Sequence, residues 1–206
     1  MSNNDHEIGD KILKFCESFF GEYENLNLLE AELLKKNILP EWQYINYLSR
    51  LAFCTEVGMK TILNIESSIG NKHNLIEIFK KMPDVFRESV EKKSGISIEK
   101  IEAFLESIKN IFVDFRYMEK KSLECFIEGV TFDNGNIVFS TAINNQNYLF
   151  IRQLLEETME YNKYLNKNIN RKLFLSKNWE TDIDEIKALF YQELKRIQSL
   201  SCVAEK

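Results

Sequence analysis

Five side chains suited to acid–base or phosphate chemistry occur at suggestive spacing in this chain: Glu56, Lys60, His73, Arg116 and Tyr117. Glu56 and Lys60 stand four apart, in the order that favours an ion pair on one helical face. The pair reads either as an exposed surface bridge or as the rim of a cleft shared with His73 and Arg116. His73 titrates near neutral pH, so it can act as acid or base, or hold phosphate when charged. It precedes an apolar run and so sits at a helix start, where it can equally pack or cap; the helix terminus there favours an anion. Arg116 can present a planar fork to phosphate or carboxylate. It can equally pair with Asp114 or Glu119 and lock helices together. Lys120 and Lys121 add positive field nearby, or simply solvate a helix end.

Other chemistries find no support in the motifs. The chain has no Gly-x-Ser-x-Gly elbow, no phosphate-binding Gly-Lys-Ser/Thr loop and no Gly-x-Gly-x-x-Gly run. Cys16, Cys54, Cys125 and Cys202 are far apart and lack Cys-x-x-Cys spacing. With two histidines in all, no metal-ligand pattern arises and no cofactor is implied. Cys16 and Cys54 lie among apolar residues and read as reduced core positions.

The elements that must position these residues are helical. A first helix is expected over Glu7 to Phe20, through Ile8, Ile12, Phe15 and Phe19, with Gly21 as its stop. A second, acidic one follows from Leu26 to Lys36. A long helix from Glu41 to about Glu66 buries Ile45, Leu48, Ala52, Met59 and Ile62, and Ile69-Gly70-Asn71 is the turn after it. Asn74 to Lys81 forms two turns, and Pro83 suits the start of a helix ending at Ser94-Gly95. Ser97 is the expected N-cap of the next helix, whose Ile98, Ile101, Leu105, Ile108, Phe112 and Phe115 keep heptad spacing without a gap. Asp133-Asn134-Gly135-Asn136, between β-branched and aromatic residues, predicts a hairpin over about 129–139. Helical spacing returns from Tyr148 to Leu165 through Ile151, Leu155 and Met159. Asn166 to Asn178 reads as a polar connection. A last helix of about 181–201 starts at the N-cap Thr181.

Seven glycines and two prolines in 206 residues leave few breaks in regular structure, which favours an all-α chain. The length suits one domain. Net charge is −5, and residues 1–41 carry all of it (nine acids against four lysines). That balance weighs against strong non-specific nucleic-acid binding, although a local basic groove remains compatible with it. The polar, acidic start MSNNDHEIGD is unlike a signal peptide, and no apolar run approaches 18 residues. No membrane association and a cytoplasmic location are expected.

Glu56-Val57-Gly58-Met59-Lys60, followed by Lys72-His73-Asn74-Leu75-Ile76-Glu77-Ile78-Phe79-Lys80-Lys81-Met82-Pro83, resembles the helix–loop–helix core of the HEPN family. Phe112-Val113-Asp114-Phe115-Arg116-Tyr117-Met118-Glu119 resembles the Phe-x-x-Trp-Arg-Tyr segment of some bacterial members, with Phe115 at the Trp position. The match covers about 40–120. It implies an up-and-down helical bundle, here a single 1–206 domain with one small β-hairpin insertion and additional C-terminal helices. It also implies a homodimer in a bacterial stress, toxin–antitoxin or phage-defence setting. Many members are metal-independent ribonucleases marked by Arg, four to six residues, then His. No arginine of this chain has a histidine at that spacing. The resemblance therefore implies a non-catalytic module that binds a nucleotide, an RNA or a partner through Glu56, Lys60, His73 and Arg116. The alternatives are a ribonuclease with an atypical site of His73, Arg116, Tyr117 and Lys60, or an adaptor using the acidic first 41 residues.

Overall fold

The structure, a computed structural model, describes residues 3–63, 74–109, 111, 114 and 121–175, with backbone alone at 3–13, 15, 121–123 and 164–175. The turn expected at Ile69-Gly70-Asn71, residues Phe112 and Phe115, and the helix expected from Thr181 fall outside the described residues.

The chain opens with one long helix, α1 (Asn3–Lys36), where a break at Gly21 is expected. Gly21 is solvent-exposed within it, and nothing lies within 4 Å of the position its Cβ would take. A lone glycine weakens a helix by about 1 kcal/mol relative to alanine. Cys16, Phe19, Leu26 and Leu33 are all buried along one face and carry the helix through it. The stop comes instead at Asn37, a left-handed residue (φ 57°) whose N–H donates to Leu33 O at 2.8 Å.

A short strand, β1 (Ile38–Leu39), then leads into α2 (Glu41–Leu63). The expected stripe of Ile45, Leu48, Ala52, Met59 and Ile62 is buried, but burial extends almost around the C-terminal half of α2. α3 (Leu75–Lys81) starts at Asn74, whose Oδ1 accepts from Ile76 N at 3.2 Å. α4 (Asp84–Ser94) begins after Pro83 and ends on left-handed Gly95, as the sequence predicts.

α5 (Ile98–Ser107) is shorter than its heptad pattern suggests: the backbone turns at Ile108 and Lys109. Apolar spacing fits a continuous helix but does not keep the backbone from turning. Ser97 makes no side-chain cap; Ile98 N–H donates instead to Glu91 Oε1 at 3.2 Å. α6 (Lys121–Ile127) precedes the expected hairpin, β2 (Phe132–Asp133) and β3 (Asn136–Val138). Positive φ at both Asn134 and Gly135 marks the primed turn that such hairpins need.

The hairpin is part of a three-stranded antiparallel sheet in the order β1-β3-β2, with Leu39 opposite Ile137 and Ile137 opposite Phe132. Asn37 secures the join. Its carbonyl accepts from Phe139 N at 2.6 Å and its Oδ1 from Ser140 N at 3.0 Å. After the single turn α7 (Phe139–Ala142), Asn145 caps the long α8 (Gln146–Leu175) by accepting from Asn147 N and Tyr148 N. α8 continues through much of the stretch expected to be a connection.

The molecule is mostly helical with a small antiparallel sheet, organised around α1, α2 and α8. α1 runs antiparallel to both partners: Glu22 meets Arg50 and Glu30 meets Tyr47, while Cys16 meets Asn162 and Tyr23 meets Glu156. α2 and α8 are consequently parallel, and α3 to α7 supply the crossover. At the tightest crossing, a Cβ on Gly58 would lie 2.5 Å from both the Phe19 ring and the Thr158 methyl. Asn162 ties the same point, donating to Gly58 O at 3.0 Å and Thr158 O at 2.8 Å.

Two glycine substitutions should separate close packing from helix propensity. Gly58→Ala is expected to lower unfolding free energy in urea by about 1–3 kcal/mol through overpacking. Gly21→Ala, in open space, should raise it by about 0.5–1 kcal/mol.

Candidate functional site

His73, Arg116 and Tyr117 lie outside the described residues, so the part of the predicted constellation in view is Glu56 with Lys60. Glu56 is 1% exposed, and its Oε1 stands 2.6 Å from Lys60 Nζ, which is partly exposed. The pair is therefore internal, not a solvated surface bridge. An i,i+4 spacing looks the same on either face of a helix; what decides is that α2 is enclosed on nearly all sides here. Neighbouring Thr55 and Thr61 satisfy their hydroxyls by donating to Leu51 O and Val57 O, both at 2.9 Å. A carboxylate taken out of water is stable only with such a partner, and removing one member of a buried pair is costly.

A second polar cluster, without a motif in the sequence, joins α1, α2 and α8. Tyr47 and Tyr148 both donate to Glu30 Oε2, Tyr148 at 2.7 Å, and their own hydroxyls are 2.8 Å apart. Arg152 approaches the same carboxylate at 3.6 Å, pairs with Glu156 at 3.1 Å, donates to Asn27 Oδ1 and lies over the Tyr23 ring. Tyr23 completes the circuit by donating to Glu156 at 2.6 Å. Burial, then their mutual proximity and Glu30, push the Tyr47 phenol far above its ordinary range. Burial is also the leading cause for Tyr148. For Arg152, burial disfavours the charge, but Glu30 and the neighbouring oxygens outweigh it and the pKa rises.

A third cluster fastens α4 to α8. Glu157, buried on α8, receives Lys93 at 2.8 Å, Ser89 at 3.2 Å and Gln153 at 3.0 Å. Its oxygens are fully engaged by these donors, as a structural carboxylate requires.

Chemistry that faces solvent lies elsewhere. A groove of about 490 Å³ runs between α1 and α2, lined by Leu29, Leu33, Lys36, Trp42, Asn46 and Arg50 among others, with Tyr47 in its wall. Trp42 is 50% exposed, unusual for so large a ring. The signal for this groove was present in the sequence: an indole at the start of a helix whose apolar stripe does not include it. A second cavity of similar size, between Glu128, Thr141 and Asn144 to Asn147, is framed by the Asn-rich stretch. Those asparagines serve the fold: Asn144 holds Ser140 O, Asn145 holds Glu128 O and Asn147 holds Cys125 O. Among the described residues no cluster of His, Cys, Asp and Glu could hold a metal ion, and no helix is long and apolar enough to cross a membrane.

No family model matches the chain, and no curated protein or solved structure is significantly similar to it.

Lys60→Met should cost about 3 kcal/mol by removing a cationic partner of buried Glu56, and adding Glu56→Met should recover part of the loss in a double-mutant cycle. Alkali should also unfold the protein. Burial, with Glu17 adding to it, raises the Cys16 thiol from 9.0 to about 11; burial, with Glu22, raises Cys54 to about 12. The folded state thus holds protons that the unfolded chain releases. Their contribution is intact below about pH 9 and is lost as pH rises through 11 to 12. Chemical denaturation across that range should show the decline, and both thiols should resist alkylation until the protein unfolds.

Proposed function

We propose that the chain is a HEPN-like binding module that holds a nucleotide, an RNA or a partner protein rather than turning over a substrate. Its expected setting is bacterial stress response, toxin–antitoxin or phage defence, and its expected state is a homodimer. One observation carries the reading: an open groove lies between α1 and α2, whereas Glu56, expected to contact a ligand, is buried and engaged by Lys60 at 2.6 Å and leaves binding to other surfaces. A general acid or base must come within hydrogen-bond reach of its substrate. Glu56, 1% exposed, is out of such reach. The missing Arg–His spacing supports the same conclusion, and the open α1–α2 groove offers a surface for binding.

Incubation of the full chain with total RNA without metal should give no cleavage, and His73→Ala should behave identically. Cleavage by the wild type that His73→Ala abolishes would overturn this reading in favour of an atypical ribonuclease. For binding, a cognate nucleotide at a hundred times its Kd should stabilise the fold by about 2.7 kcal/mol, roughly 5–10 °C in Tm for a chain of this size.

A further inference from the structure

We propose that the groove between α1 and α2 is a docking site for an amphipathic helix of a partner protein, one that carries carboxylates at its flanks. The inference rests on the binding-module reading and names the partner chemistry that one surface of it would take.

The groove has the form of a helix seat. Leu29, Leu33 and Lys36 follow one another at four- and three-residue steps on α1, and Trp42, Asn46 and Arg50 at four-residue steps on α2. The two helices are antiparallel, so these rows form facing ridges with a trough between them, the surface into which a third helix packs. Trp42 to Arg50 spans roughly 12 Å at 1.5 Å per residue, enough for two turns of a partner. Phe53, 44% exposed, extends the α2 row by one more turn.

Its composition fits a protein partner. Tryptophan, tyrosine and arginine dominate the energetics of protein interfaces, and all three line this groove. Leu33 and Tyr47 are buried and give it a firm floor; Tyr47 is held from behind by Glu30 and Tyr148. A preorganised surface loses little freedom on binding. Gln43, Asn46 and Ser49 supply polar contacts around the apolar centre.

Charge selects the occupant. The chain is acidic overall, yet the charged residues lining the groove, Lys36 and Arg50, are both cations. Among the described residues Arg50 has a loose, half-exposed partner in Glu22 at 3.8 Å, a contact that a carboxylate of the incoming helix can replace. A second copy docking the same patch about a two-fold axis would bring like cations into one interface.

The test uses the full chain carrying Trp179→Phe, so that Trp42 is the sole indole. Two synthetic helical peptides of about 14 residues share a leucine face at i, i+3, i+4 and i+7 and differ in carrying glutamates or lysines at their flanks. The glutamate peptide should bind, blue-shift Trp42 emission and bind at least about tenfold more tightly than the lysine peptide at low salt. Lys36→Glu with Arg50→Glu should reverse that preference, and Trp42→Ala, followed by titration calorimetry because it leaves no indole, should weaken both peptides while far-UV dichroism stays unchanged. Equal binding of the two peptides, binding of neither, or binding indifferent to Trp42→Ala would overturn the proposal. Concentration-dependent dimerisation abolished by Trp42→Ala would assign the groove to a second copy instead. Quenching of Trp42 by nucleotides or RNA without peptide binding would assign it to nucleic acid. Any of these failures leaves the binding-module reading to be decided by the RNA cleavage assay.

Discussion

At Gly58, α2 comes against the Phe19 ring of α1 and the Thr158 methyl of α8 with no room for a Cβ. Most of the architecture depends on that closeness. It lets α1 lie against both partners at once, so that α2 and α8 run parallel and the intervening chain must form a crossover. Asn162 reinforces the contact by donating to Gly58 O and Thr158 O, which gives its own buried amide two acceptors and ties α8 to α2. Dispersion holds the crossing together, and the small residue makes it possible.

Around that crossing, one half-buried and one buried carboxylate do the fastening. Glu30 draws α1, α2 and α8 together through two tyrosines and Arg152; Glu157 draws α4 onto α8 through Lys93 and Ser89. Each carboxylate restricts its surroundings to arrangements that keep its donors in place. Such ties add directional register to a core that is otherwise apolar. The open α1–α2 groove, by contrast, presents an indole, amides and two cations to solvent.

The sequence was most legible where local chemistry acts alone. Asn134-Gly135 predicts a primed turn because both residues tolerate positive φ, and the hairpin is there. Gly95 ends α4 for the same reason. Legibility failed where packing outweighed local preference. Gly21 looks like a stop but is carried by buried neighbours on either side, and the heptad through Ile98 to Phe115 does not keep α5 from turning at Ile108. β1, at two residues, is too short to carry a pattern, and its pairing with β3 depends on Asn37 reaching Phe139 and Ser140 across more than a hundred positions.

From its residues alone, this protein's helical class, its hairpin and its lack of the ribonuclease spacing could be derived. Each rests on short-range preferences or on motif positions. Which side of α2 holds Glu56, which carboxylates are buried, and which aromatic ring stays in solvent were decided only by tertiary structure. The reason is geometric: periodicity gives the faces of a helix, but the number of neighbours enclosing it depends on contacts distant in sequence. α2 meets α1 and α8 at once, and that enclosure turns an ordinary i,i+4 pair into a buried one while leaving Trp42 exposed at the helix start.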